Sequence, residues 1–299
     1  MIRIVSLMFL ALVLAGVGAQ AQTPAKKTFA LDYTIELLPK QDQARIRIAL
    51  GKGSERVTQL ALDYDAKRYS DFAVSGGKFA AAGAGKAVWT PAAGGSTLSY
   101  RVRITRQRDS GDFDARMTPD WALFRGDKVI PFVTARMKKN TVAVTHLGFV
   151  LPSGWNNVDT GWPRLPNNRF VIDNPERSFD RPIGWIIAGK VGTRYDKPGM
   201  TEVVVAAPKG DALDRMDALT MVNFVWPEIE SAFGRTPRKV LIVGAGDPMW
   251  RGGLSAPNSL FFHSQRPLVS ENGTSSLFHE LTHVVTRISG EDRSDWIAE

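Results

Sequence analysis

The chain has 299 residues, no cysteine and a formal net charge of +8. The absence of thiols excludes a disulfide scaffold and thiolate metal centres, and a chain of this length buries enough apolar surface to be stable without them. Its basic residues are spread along the sequence rather than gathered into a stripe, and no recognition motif accompanies them, so no nucleic acid is expected as a partner.

At the amino end, Arg3 precedes an apolar run over 4–17, and Ala19, Gln20 and Ala21 supply a cleavage site. This is the pattern of a secretory signal peptide over 1–21. The run is shorter than the roughly 20 residues that span a bilayer, and no later segment is long and apolar enough. The mature protein is therefore expected to start near Gln22, exported to the periplasm or secreted, with no integral membrane segment after signal cleavage.

A β-rich domain is expected over 22–198. Phe29, Leu31, Tyr33, Ile35 and Leu37 share one face of a strand; Ile46, Ile48 and Leu50 share a second, and Leu98, Tyr100, Val102 and Ile104 a third. Arg45, Arg47, Arg101 and Arg103 take the opposite faces. Antiparallel strands with one wet side imply a β-sandwich or saddle-shaped sheet. The Gly/Ala-rich stretch 75–95 reads as a loop or hairpin connection, and His146 as structural or exposed. Trp155, Asn156, Asn157, Trp162, Pro163, Pro166 and Asn167 mark 155–180 as long surface loops. Strands are predicted over 185–191 and 202–207.

A second domain is expected over 199–299. Asp211 can cap a helix carrying Leu213, Met216, Leu219 and Phe224, with Pro227 bending or ending it. Val240, Leu241, Ile242 and Val243 form a buried strand. A glycine-rich edge strand follows with Gly252, Gly253, Leu254 and Ser255, flanked by Trp250, Arg251 and His263.

The last predicted elements carry the chemistry. Leu277, Leu281, Val284 and Ile288 recur at helical spacing, with Phe278 and Val285 widening the stripe. Asn272 and Gly273 form a turn before this helix, Thr274 or Ser275 caps it, and Gly290 is its expected C-cap. Asn272-Gly273-Thr274 also matches a glycosylation pattern but reads as this capping turn. His279 and His283 lie four residues apart on one helical face, so both imidazoles can bind one zinc ion, while Glu280 is placed to take a proton from metal-activated water. After a short link, Ser294 can cap a second helix through Asp295, Trp296, Ile297, Ala298 and Glu299. The bland reading is a surface helix with two histidines; the half-buried helix, the second helix start and the glycine-rich strand all weigh against it.

HELTH followed by WIAE resembles the gluzincin zinc metallopeptidases, the clan of thermolysin and aminopeptidase N, and most of all the glycyl aminopeptidase-like and aminopeptidase N-like branch. The resemblance implies an α+β fold: an antiparallel β-sandwich or saddle domain, then the upper lobe of a thermolysin-like catalytic domain. It implies one Zn2+ held by His279, His283 and Glu299, with Glu280 as general base and a peptide or protein as substrate. Glu291, Asp292 and Asp295 are rival third ligands. Thr286 and Ser289 replace the glycine and third histidine of the metzincin pattern. The glycine-rich strand, Gly252, Gly253, Leu254 and Ser255, would run antiparallel to bound substrate, with His263 able to reach a substrate carbonyl.

This chain also departs from that family. Ser255 or Ala256 stands where the aminopeptidases place an amine-binding glutamate, so exopeptidase specificity does not follow. No tyrosine follows the motif to stabilise the oxyanion, and Glu299 is the last residue, so the helical lobe is expected to be missing. The other class considered is a non-catalytic exported binding protein with a degenerate peptidase lobe.

Overall fold

The computed structural model describes residues 26–173 and 179–287. The expected signal peptide, the Gly290 cap and the second helix of the motif lie outside them.

Period-two alternation builds the first part. In the strand Lys27–Leu38, Phe29, Leu31, Tyr33, Ile35 and Leu37 all enter one core. This strand lies inside a seven-stranded sheet, between Gln43–Leu50 and Thr141–Val150. A four-stranded sheet carrying Leu60, Leu62 and Trp89 closes over the same core, making a β-sandwich. The 75–95 stretch is a hairpin of that smaller sheet, in which Gly77–Ala81 pairs with Lys86–Pro91.

Two expectations change here. Lys27–Leu38 pairs with Thr141–Val150 in parallel, so the sheet is mixed rather than antiparallel. A parallel neighbour needs a long crossover, and the chain between these strands supplies one that includes the whole four-stranded sheet. The segment read as surface loops holds the strands Asn157–Thr160, Arg164–Leu165 and Arg169–Ile172. Trp155 and Trp162 there are buried, with indole N–H groups donating to the Pro119 and Ile183 carbonyls at 2.9 and 3.2 Å. Strands this short leave no periodic signal between their turn residues.

At Gly189 the chain changes sheets. Its φ is +126°, and a Cβ there would lie 2.3 Å from the Asp120 carbonyl oxygen, so only glycine fits the corner. Val191–Asp196 then opens a five-stranded sheet that continues through Glu202–Pro208, Lys239–Ala245, Ser259–His263 and, at the edge, Gly253–Ala256. The sheet thus starts before residue 199, and Pro198 and Gly199 belong to a turn within it, where the Thr201 amide donates to the Pro198 carbonyl.

The middle strands of this sheet run parallel and are apolar on both faces. Val203, Val205, Val240, Ile242, Leu260 and Phe262 meet the helices Arg215–Phe233 and Ser276–Thr286. On the other face Val204, Leu241, Val243 and Phe261 meet Leu123, Trp185 and Ile187 of the preceding β-structure. The first helix is capped by Asp214, which accepts from the Met216 and Asp217 amides. Asp211, the expected cap, instead accepts from the amides of Leu213 and Gly246. Pro227 does not end this helix, which runs on to Phe233 and stops at Gly234 in the left-handed conformation. Among the described residues no helix is long and apolar enough to cross a membrane.

A buried charge cluster ties the two parts together. Lys239, 1% exposed, donates through Nζ to Asp159 Oδ1 at 2.7 Å, and Arg164 reaches the other oxygen of Asp159 at 3.1 Å. Arg164 still reaches Asp159 once Lys239 is removed, so Lys239→Ala is expected to cost about 1.5–3 kcal/mol of stability, the worth of one hydrogen bond between charged groups, read from chemical denaturation; an unchanged midpoint would show that the pair is not a tie.

Candidate functional site

The motif helix is short and well marked. Ser275 caps it, accepting from the Phe278 amide at 3.4 Å, and the Asn272 carboxamide accepts from the backbone and hydroxyl of Thr274 just before it. Its apolar side, Leu277, Leu281, Val284 and Val285, is buried against the parallel sheet. The helix ends at Thr286, where Arg287 adopts the left-handed conformation and its amide returns to the His283 carbonyl, so Arg287 is its C-cap.

Burial of that side turns the polar face outward. His279 is exposed and His283 half-buried. Their Nε2 atoms are 3.0 Å apart, with the rings nearly perpendicular at 79°. A tetrahedral zinc with nitrogens at about 2.0–2.1 Å holds such atoms roughly 3.3–3.4 Å apart, so the two imidazoles fit as neighbouring ligands after a small adjustment. Among the described residues no third His, Cys, Asp or Glu completes a metal-binding group with them. Glu299, Glu291, Asp292 and Asp295 lie outside those residues.

Glu280 points toward the edge strand instead. Its Oε2 accepts from the Ser255 amide at 2.6 Å. The register explains why that amide is available. Gly252 accepts from the His263 amide and Ala256 pairs with Ser259, so the alternation turns the N–H and C=O groups of Gly253 and Ser255 away from the sheet. Gly253 is equally constrained: a Cβ there would lie 2.9 Å from Glu280 Cγ and 3.0 Å from Oε1. A side chain there would have to push Glu280 aside, so the glycine lets the carboxylate rest against the strand backbone.

The hairpin that carries this edge is clamped from behind. The Trp185 indole N–H donates to the Leu254 carbonyl at 2.9 Å, and the Trp185 amide donates to Ser259 Oγ at 2.8 Å. At the tip, a Cβ on Gly161 would lie 2.2 Å from the Asn258 carbonyl oxygen. Sequence reasoning missed Trp185 as a support for the site, because nothing in its local pattern separates it from other core tryptophans.

The remaining sequence candidates divide. Gly252, Gly253, Leu254 and Ser255 do lie beside the motif helix, and Gly252, Gly253, His279 and Glu280 line one cavity of about 370 Å³. His263 does not reach it: the side chain is 1% exposed, with Nε2 3.4 Å from Asp247 Oδ1. Burial lowers its pKa below the usual histidine value, opposed by the Asp247 carboxylate. Strand alternation turns this residue inward, and its role is structural. Arg251 is exposed and paired with Asp247. The Trp250 ring lies over Gly252, with the Arg108 guanidinium 4.5 Å from its centroid.

No protein-family model and no curated protein matches the chain. Among solved structures it is similar to an aminopeptidase N family protein from Idiomarina loihiensis, with a TM-score of 0.62 and 14% identity over 85% of this chain and 47% of that one. A mutant M1 zinc metallopeptidase from Deinococcus radiodurans, bound to a Tyr-Ser-Ala substrate, aligns at a TM-score of 0.48 and 12% identity over 86% of this chain and 64% of its own. At this identity the first likeness is one of fold, and the chain spans about half the length of that protein.

The bond between Glu280 and the edge strand can be tested without assuming an activity. A hydrogen bond to a charged group is worth about 1.5–3 kcal/mol. Glu280→Ala should therefore speed amide hydrogen exchange at Ser255 by roughly 10–100-fold, and Gly253→Ala should do so by displacing the carboxylate. Unchanged exchange in both variants would mean that the amide is not held by Glu280.

Proposed function

We propose that this protein is an exported zinc-dependent peptidase, with His279 and His283 as two of the zinc ligands, Glu299 as the third and Glu280 as general base. The observation that carries the reading is the convergence of the His279 and His283 Nε2 atoms, 3.0 Å apart, beside a glutamate held against a glycine-rich sheet edge. The fold likeness to an aminopeptidase N family protein supports it. The divisions of this reading are a signal peptide over 1–21, a β-rich domain and a thermolysin-like zinc lobe.

Zinc, when bound, would acidify a water molecule and polarise the scissile carbonyl. The protein's own part is positional. The outward N–H and C=O groups of Gly253 lie on the open edge and can pair with an extended peptide, setting its carbonyl near the two histidines. Glu280 keeps Oε2 on the Ser255 amide, leaving Oε1 to take the proton from the attacking water and pass it to the leaving amine. Holding one oxygen fixes the other, so the proton acceptor is placed before substrate arrives.

Zinc content by elemental analysis, measured with peptide hydrolysis, tests the reading. The expected result is one zinc per chain, lost in His283→Ala and kept in Glu280→Gln, with the latter lowering kcat by about 10²–10⁴-fold. Absence of zinc from the wild-type chain, or hydrolysis undiminished in Glu280→Gln, would overturn it. Peptide binding that survives loss of both histidines would then favour a non-catalytic binding protein.

A further inference from the structure

The edge strand has a second cavity on its other side. It measures about 690 Å³ and is walled by Arg106, Arg108, Arg125, Lys128, Trp185 and Trp250, with Asp109, Asp114 and Leu254 also reaching it. Trp250 also lines the cavity of His279 and Glu280, so the two hollows share a wall. Leu254 lines one and its neighbour Gly253 the other. A peptide lying along Gly253–Ala256 advances about 3.3 Å per residue and sends alternate side chains to opposite sides, so it passes the mouth of both.

The chemistry of this second hollow is cationic. Four basic side chains face two carboxylates. Asp114 is already shared between Arg108 at 2.9 Å and Arg106 at 3.9 Å, and Arg125 is held by Asp127 at 3.0 Å. Lys128 forms no salt bridge among the described residues, although it lines the cavity. Desolvation lowers its pKa; Asp127 opposes this, and the neighbouring Arg125, Arg106 and Arg68 lower it further. An ammonium group in such company gains from an incoming carboxylate more than an isolated surface lysine does. The Arg108 guanidinium, stacked on Trp250, puts a second donor on the shared wall.

We infer that this cavity is a subsite for a carboxylate of the bound peptide, an Asp or Glu side chain or the C-terminal carboxylate, so that the protein selects peptides that place a carboxylate there. The inference rests on the peptidase reading only for its orientation along the edge strand.

The test uses peptide sets identical except for Glu, Gln or Lys at one position, walked along the sequence and made both as free acids and as C-terminal amides. Binding to the Glu280→Gln chain is followed by tryptophan fluorescence, and hydrolysis by the zinc-loaded wild type is measured in parallel. At one position the Glu peptide, or at any position the free acid, should bind about 10-fold tighter than its neutral match. That ratio should collapse in Lys128→Glu and shrink in Arg106→Gln; both residues are exposed, so the fold tolerates the changes. Loss of preference on amidation identifies the C-terminal carboxylate, and its persistence identifies a side chain. Equal binding of the Glu, Gln and Lys peptides together with equal binding of free acids and amides, or a preference that survives Lys128→Glu, would overturn the subsite. Charge-selective binding without cleavage would leave the subsite standing and remove the peptidase reading; cleavage indifferent to charge would do the reverse.

Discussion

The structure depends on one constraint: the parallel strands that carry the site are apolar on both faces and must be covered twice. Helices cover one face of Glu202–Pro208, Lys239–Ala245 and Ser259–His263, and the β-structure around Leu123, Trp185 and Ile187 covers the other. A sheet with two dry faces is not stable with either cover removed, since each buried Val, Ile or Leu side chain is worth about 1.5–3 kcal/mol. The β-rich part is therefore half of the parallel sheet's environment and not an appendage to it. The Lys239–Asp159 pair sits at the same junction, where two buried charges satisfy each other across the two sheets.

That junction fixes the edge strand. The hairpin carrying Gly253 and Ser255 is gripped on its back by Trp185 and at its tip by the close approach of Gly161 to Asn258. Its outward backbone groups are thereby held at a set distance from the motif helix. Glu280 closes the gap with its bond to the Ser255 amide. The helix itself is only Ser276–Thr286, too short to hold an orientation alone. It is placed by Leu277, Leu281, Val284 and Val285 on the sheet. Helix, edge and β-structure thus form one chain of packing contacts from Trp185 to the histidine pair.

Charge follows the same logic. Along the sequence the basic residues look scattered, because strand alternation spaces them among apolar ones. Folding brings Arg106, Arg108, Arg125 and Lys128 from separate strands and turns to one hollow beside Leu254, while most other arginines remain on solvated faces. Proximity in space, not in sequence, concentrates the positive potential there.

How much was legible beforehand divides along physical lines. Local periodicity determined the long strands of the sandwich, the buried run Val240, Leu241, Ile242 and Val243, and the helix bearing His279, Glu280 and His283, since each of these buries a regular face. It also put a glycine-rich edge strand before that helix. Patterns bounded by turn residues were harder to read: the short strands over 155–180 carry too few residues for a period, and the cap of Arg215–Phe233 is Asp214 rather than Asp211, a shift of three positions that leaves the apolar periodicity unchanged. Chain direction was not legible either, because a parallel and an antiparallel neighbour of Lys27–Leu38 would bury the same alternating residues. Only the tertiary structure decided that His263 faces Asp247 in the interior, that Ser255 offers its amide to Glu280, and that Trp185 and Lys128 belong beside the edge strand. Those facts are contacts between residues tens of positions apart, and one-dimensional periodicity records which face a residue takes but not what it meets there.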